Sequence, residues 1–418
     1  MRIAMLSYHT CPLAILGGKD TGGMNVYVRE LTRFLGKRGV HVDVFTRSQD
    51  EHVPHVLHDL GYGNRVVHIP AGPEHPLPKS ELANHIPSFT EGVRRFAEQK
   101  NLRYDLIHTH YWMSGVAGAD LKRTWGVPMV QMFHTLSAVK NRIARGHEVE
   151  GAYRMEGEQQ ALDAADRVVA ATPDEVEQLQ AHYRVDPTRL VVIPPGVDLS
   201  YFYPIPPDEA CAAISIPADA RMLLFVGRIE PLKGVDTLLR ALARMREDCT
   251  RDICPYHLAI IGGDLEDQPA QSDSEMARLK ALCHRLGLDD MVVFLGKRDQ
   301  TTLPYYYSAA LCLVMPSFYE SFGMVALESM ACGTPVVTSN AGGLAYLVRN
   351  GETGFTVPTG DITALADTLT RLLLDDDLRR NIGINAAAYA RNYAWENIAG
   401  RMIDLYKQLL TGVIQTTP

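Results

Sequence analysis

Short apolar runs alternate with amphipathic stretches along the whole chain. Arg2-Ile3-Ala4-Met5-Leu6-Ser7 predicts a first strand and His41-Val42-Asp43-Val44-Phe45-Thr46 a second. Between them Val26, Leu31, Phe34 and Leu35 fall near helical spacing, and Gly39 closes that helix. A glycine-rich loop, Gly17-Gly18-Lys19-Asp20-Thr21-Gly22-Gly23, joins the first strand to the helix. Strand, glycine loop, helix, strand is the opening of a doubly wound α/β sheet. Further strands are predicted over 105–112, 127–133 and 190–193, and residues 161–169 run from a helix into a strand. Pro194-Pro195-Gly196-Val197-Asp198 is stiff and turn-rich, which suits an interdomain linker. A second series of strands then begins, at 222–228, 257–263, 292–298 and 309–316.

The richest stretch is Ser317-Phe318-Tyr319-Glu320-Ser321-Phe322-Gly323-Met324-Val325-Ala326-Leu327-Glu328. An apolar run closed by Pro316 precedes it, and Met324 to Cys332 predicts a helix stopped at Gly333. Glu320 and Gly323 therefore sit on a strand-to-helix turn at the carboxyl end of a strand, where open α/β sheets bind ligands. Gly323 lets the backbone approach a ligand, and the N–H groups of a helix start suit a phosphate. Glu328, about one turn on, can accept hydrogen bonds from vicinal hydroxyls such as those of a ribose. Phosphate donors beside two carboxylates, with no metal motif, suggest a nucleotide sugar. Arg228 and Lys233 lie on another predicted strand-to-helix turn, where two cations can clamp a diphosphate and stabilise a leaving nucleotide. A plain surface turn with a capping glutamate would explain either carboxylate alone. It does not explain the set, which continues through Gly333-Thr334-Pro335-Val336-Val337 and Gly342-Gly343.

In the first half, His110 and His134 fall where predicted strands meet loops. Lys140, Arg142, Arg145 and Arg154 follow, a run of bases of the kind that binds a phosphate. The glycine loop lacks the G-x-G-x-x-G spacing of a dinucleotide site.

Bulk properties narrow the class. With 418 residues the chain is comfortable for two domains. Lys+Arg 41 against Asp+Glu 49 gives a net charge of −8, which argues against nucleic acid as a partner. The 7 cysteines are scattered, and Cys249-x4-Cys254 has no His or Cys partners nearby, so neither a disulfide framework nor a zinc site is expected. The N-terminus runs directly into a strand, without a signal peptide or membrane span, so a cytoplasmic protein is expected. Asp375 to Asp377 reads as a turn and Glu266 to Glu275 as a surface loop. No cofactor is expected; the sugar nucleotide would be a substrate.

Glu320-x7-Glu328 with Ser-Phe-Gly inside it, followed by Ala-Cys-Gly-Thr-Pro-Val-Val and Gly-Gly-Leu, resembles the signature of the family 4 retaining glycosyltransferases. The resemblance covers nearly the whole chain. It implies the GT-B fold, two Rossmann-like α/β domains facing across a cleft. Residues 1–195 would form the acceptor-binding domain, completed by a C-terminal helix at about 396–418, and residues 196–395 the nucleotide-sugar domain. It also implies roles. Arg228 and Lys233 would bind the pyrophosphate, and Gly22 and Gly23 would lie over donor and acceptor. Arg298 would border the base. Glu320, Phe322, Gly323 and Met324 would hold the donor sugar and phosphate, and Glu328 the ribose. His134 would contact the sugar and count, with Arg228, Lys233 and Glu320, among the catalytic residues.

Lys79, Tyr111, Thr135 and Arg154 resemble the positions with which mycothiol-pathway glycosyltransferases hold an inositol phosphate. The Asp20-Thr21-Gly22-Gly23 loop resembles that of the sucrose-phosphate synthases. The leading expectation is metal-independent, retaining transfer from UDP-glucose to fructose 6-phosphate. The alternative is transfer from UDP-N-acetylglucosamine to an inositol phosphate, and a further alternative is a non-catalytic nucleotide-sugar sensor. The oligomeric state is not legible in the chain.

Overall fold

The structure, a computed structural model, describes residues 1–14, 21–143, 150–247, 255–263 and 274–412. Gly17 to Asp20, Arg145, Cys249, Cys254 and nearly all of the 266–275 stretch lie outside the described residues. Contacts divide the chain into two units. Among the described residues, one holds those up to Pro195 together with those from Trp395 on; the other holds Gly196–Ala394.

In the first unit the strands are β1 (Arg2–Leu6), β2 (His41–Arg47), β3 (Val56–Leu57), β4 (Arg65–Ile69), β5 (Leu106–His110), β6 (Met129–Met132), β7 (Arg167–Ala170) and β8 (Leu190–Val192). They form one sheet in the order β3-β4-β2-β1-β5-β6-β7-β8, parallel except for the β3–β4 pair. In the second unit β9 (Met222–Val226), β10 (His257–Ile261), β11 (Val292–Gly296), β12 (Ala310–Met315), β13 (Val336–Ser339) and β14 (Gly354–Val357) form a parallel sheet in the order β11-β10-β9-β12-β13-β14. The apolar runs became parallel strands because both faces of each sheet are covered; every residue of β9 is buried, for example. Leu238, Leu239, Leu242 and Met245 of the helix Val235–Glu247 join Leu365, Leu369, Leu372 and Leu373 of the helix Ile362–Leu374 in the core of the second sheet.

Strand order reverses at β1/β5 in the first sheet and at β9/β12 in the second. At such a switch point the loops leaving neighbouring strands diverge and open a crevice at the carboxyl edge. Gly22, Tyr111, Arg228, Lys233 and Glu320 sit on the loops after these strands.

The last helix, Trp395–Thr411, belongs to the first unit. Trp395, Ile398, Met402, Leu405 and Tyr406 recur at helical spacing and are buried. The Trp395 ring lies 5.4 Å from Tyr27 and 6.5 Å from Phe34 of the helix Gly23–Lys37. The Tyr406 hydroxyl and His108 Nδ1 are 2.7 Å apart.

Three local expectations are corrected. Asp375 caps the helix Asp376–Ala390 by accepting the Leu378 N–H, so the acidic triplet is a helix start rather than a turn. Glu275 opens the helix Glu275–Arg285, which Ser274 caps. Trp112 is not the end of a strand but the first residue of the helix Trp112–Trp125.

Candidate active site

The loops after β9 and β12 carry the expected donor residues. These strands are paired, with Leu224 opposite Leu313, and the Phe318 N–H donates to the Leu232 carbonyl at 2.8 Å to tie the two loops together. Gly323 precedes the helix Met324–Ala331 with φ +101°, a left-handed conformation that favours glycine. No side chain caps this helix, so its first N–H groups are available to an anion. Gly342, at φ +50°, lies so close beneath the loop that a Cβ there would stand 2.4 Å from the Glu320 carbonyl oxygen. That carbonyl accepts the Gly343 N–H at 2.8 Å, which fixes the main chain at Glu320.

The two expected clamp cations both have carboxylate partners. Lys233 Nζ lies 2.5 Å from Glu320 Oε2, with the side chains only 15% and 17% exposed. Arg228 Nη2 lies 3.0 Å from Glu230 Oε1, with the arginine 41% exposed. Glu328 is 7% exposed. Its Oε2 accepts the Tyr307 hydroxyl at 2.8 Å and its Oε1 the Gln300 amide at 3.5 Å. Burial, and after it the charge of Glu328, pushes the Tyr307 phenol well up, so the phenol remains a donor and holds the carboxylate in place. Arg298 is exposed and donates to the Tyr306 hydroxyl at 3.2 Å and the Lys297 carbonyl at 3.0 Å. Met324 is half-buried in the first turn of its helix. The Phe322 ring is buried, 5.8 Å from Tyr393.

In the first unit, Tyr111 after β5 and His134 after β6 both have positive φ, +73° and +64°. Left-handed backbone at a bulky residue costs on the order of 1 kcal/mol and persists only where neighbours enforce it. Here the Tyr111 N–H donates to the Met132 carbonyl at 2.8 Å, and His134 Nε2 lies 3.0 Å from His110 Nδ1. Burial pushes the His134 imidazole down to about 3. His110 is likewise held well below the ordinary range, by burial and then by its histidine neighbours. Both rings are therefore neutral at neutral pH, so His134 can make a hydrogen bond but is no imidazolium acid.

Lys79, Tyr111, Thr135 and Arg154 come together, but with carboxylates among them. Arg154 is 1% exposed. It donates through Nε to Glu158 at 2.9 Å, through Nη1 to Glu150 at 2.5 Å, and through Nη2 to Thr135 Oγ1 and the Thr135 carbonyl at 3.1 Å. Its Cζ lies 4.9 Å from the Tyr111 ring centre. Glu150 also meets Lys140 Nζ at 2.8 Å. Burial pushes the Glu150 carboxyl up, but Arg154, Lys140 and the exposed Lys79 together hold it below its ordinary value. Of the expected run of bases, Lys140 and Arg154 thus form with Lys79 a mixed cluster, three cations around Glu150 and Glu158. Gly22 and Gly23 stand at the start of the helix Gly23–Lys37. Asn25 accepts the Gly22 N–H at 2.9 Å and donates to Thr10 Oγ1 and the Cys11 carbonyl, both at 2.7 Å, tying the glycine pair to the loop after β1.

Two family profiles match, Glycosyltransferase Family 4 over residues 21–201 and Glycosyl transferases group 1 over residues 208–389. A D-inositol 3-phosphate glycosyltransferase of Thermomonospora curvata is 43% identical over 97% of this chain and 95% of its own. This chain belongs to glycosyltransferase family 4. A second relative, D-inositol 3-phosphate glycosyltransferase 2 of Catenulispora acidiphila, is 42% identical over 97% of this chain and 95% of its own. Among solved structures, a sucrose-phosphate synthase from Thermosynechococcus elongatus superposes with a TM-score of 0.89 at 36% identity, over 99% of this chain and all of that one. The expected GT-B fold class and the glycosyltransferase activity of the family both hold. Among the described residues no helix is long and apolar enough to cross a membrane, and no group of His, Cys, Asp and Glu could hold a metal ion.

Sequence reasoning missed several partners within the site. Gln300 and Tyr307 become neighbours of Glu328 only through the fold, whereas Glu230 stands two residues from Arg228 in the chain. Glu158 could have been found, because it stands four residues after Arg154 on the helix Ala152–Ala164, whereas Glu150 precedes that helix.

Proposed function

We propose that this protein transfers a glycosyl group from a UDP-sugar to an inositol phosphate, with retention at the anomeric carbon and without a metal. The observation that carries the acceptor is the 43% identity, along almost the whole chain, to a D-inositol 3-phosphate glycosyltransferase. Fructose 6-phosphate is the second reading, favoured by the likeness to a sucrose-phosphate synthase at 36% identity. UDP-N-acetylglucosamine is the expected donor of the first reading and UDP-glucose that of the second.

In this reading the second unit binds the donor and the first the acceptor. The diphosphate meets Arg228, Lys233 and the N–H groups at the start of Met324–Ala331. Glu328, oriented by Tyr307, accepts from the ribose hydroxyls. The neutral His134 contacts the sugar, and Lys79 with the cluster around Arg154 receives the acceptor phosphate. The bond from the anomeric carbon to the β-phosphate oxygen breaks as the acceptor oxygen attacks from the same face, and the acceptor's proton passes to the departing phosphate. The protein supplies positioning and positive charge where negative charge grows.

UDP release tests this. UDP-N-acetylglucosamine and UDP-glucose are each paired with inositol 3-phosphate, fructose 6-phosphate and fructose. Turnover is expected with inositol phosphate; turnover confined to fructose 6-phosphate would transfer the assignment to the second reading. Glu328→Ala is expected to weaken UDP binding about 10- to 100-fold, as hydrogen bonds to a charged group contribute about 1.5–3 kcal/mol. An unchanged calorimetric affinity would remove the ribose role.

A further inference from the structure

Lys233 and Glu320 are each assigned to the donor, yet they hold each other. Their contact is 2.5 Å, and both side chains are largely withdrawn from water. Screening is weak there, so the pair is stronger than a surface salt bridge. Neither main chain needs to move for the pair to open. Lys233 ends the short helical turn Pro231–Lys233, with its N–H on the Glu230 carbonyl at 2.9 Å, and Glu320 is fixed through its carbonyl by Gly343. The side chains alone can exchange partners.

We propose that Glu320 is a specificity-determining residue that occupies Lys233 in place of the donor diphosphate, so that the site favours an intact nucleotide sugar over the free nucleoside diphosphate. This rests on the reading of Lys233 as a diphosphate clamp. A nucleoside diphosphate that takes Lys233 displaces the Glu320 carboxylate and leaves it, without its cation, beside two phosphate charges. An intact donor brings sugar hydroxyls, which can donate to the displaced carboxylate. The exchange is therefore compensated only when the sugar is present. Once the sugar has been transferred the compensation is gone, Glu320 returns to Lys233, and the nucleoside diphosphate is expelled. The Arg228–Glu230 pair does less of this because the arginine is 41% exposed and better screened.

The test is calorimetry with UDP and with UDP-N-acetylglucosamine on the full chain, for the wild type, E320Q, K233A and the double variant. E320Q removes the charge and keeps the shape. It is expected to bind UDP about tenfold more tightly, the scale of one charge-assisted hydrogen bond. It should gain much less for UDP-N-acetylglucosamine, and the inhibition constant of UDP as a product should fall with its dissociation constant. The gain should shrink in the K233A background, since simple relief of charge repulsion would appear equally there. If K233A weakens UDP but E320Q does not tighten it, or tightens it equally in both backgrounds, the exchange is overturned and the clamp stands. If K233A binds UDP as the wild type does, the clamp itself fails and the exchange with it.

Discussion

Lys233→Ala is expected to lower kcat by about 10²–10³-fold, the usual cost of removing one preorganised group that stabilises developing charge. The lysine is the better shielded of the two cations, at 15% exposure against 41% for Arg228, so its charge reaches the reacting phosphate with less screening. The variant also leaves Glu320 as an unpaired negative charge where a diphosphate must sit. Arg228→Ala should act in the same direction and more weakly. UDP release under saturating donor, set beside calorimetric donor affinity, measures both quantities. A protein that only sensed nucleotide sugars would lose affinity and have no turnover to lose. An unchanged kcat in Lys233→Ala would remove the lysine from the chemistry.

Arg154→Ala is expected to destabilise the first unit by about 3–5 kcal/mol, because removing one partner of a buried ion pair strands the other. Glu158 is fully buried, and besides Arg154 it accepts from the Ser137 N–H, the Ser137 hydroxyl and the Tyr183 hydroxyl. Those neutral donors do not replace a guanidinium. For a unit of this size the loss corresponds to roughly 10 °C in melting temperature. Thermal unfolding checks it, and a wild-type melting temperature would show that the arginine is dispensable to the fold. Lys79 separates recognition from stability. It is exposed, so Lys79→Ala should raise the acceptor KM and leave the melting temperature in place.

The strand runs were legible because parallel strands covered on both faces are continuously apolar, as in Met222–Val226 and Ala310–Met315. Glu320, Gly323 and Glu328 were legible for another reason: a turn, a helix start and a one-turn spacing are local properties. The closing helix was expected from the resemblance; its buried Trp395, Ile398, Met402 and Tyr406 keep helical spacing, but that spacing cannot say which sheet they cover.

What the sequence by itself determined was the alternation of buried strands and helices, the strand-to-helix turns that bear Arg228, Lys233, Glu320 and Glu328, and, through the pattern of these residues, the family. The tertiary structure decided how their charges are spent. Glu320 meets Lys233 across 87 positions, and Tyr307 meets Glu328 across 21, because β9 and β12 lie side by side in the sheet and Leu303–Ala309 packs against Met324–Ala331. Charge pairing depends on distance in space, and a sequence records distance along the chain. The cations that read as free for phosphate are therefore already partnered in the fold.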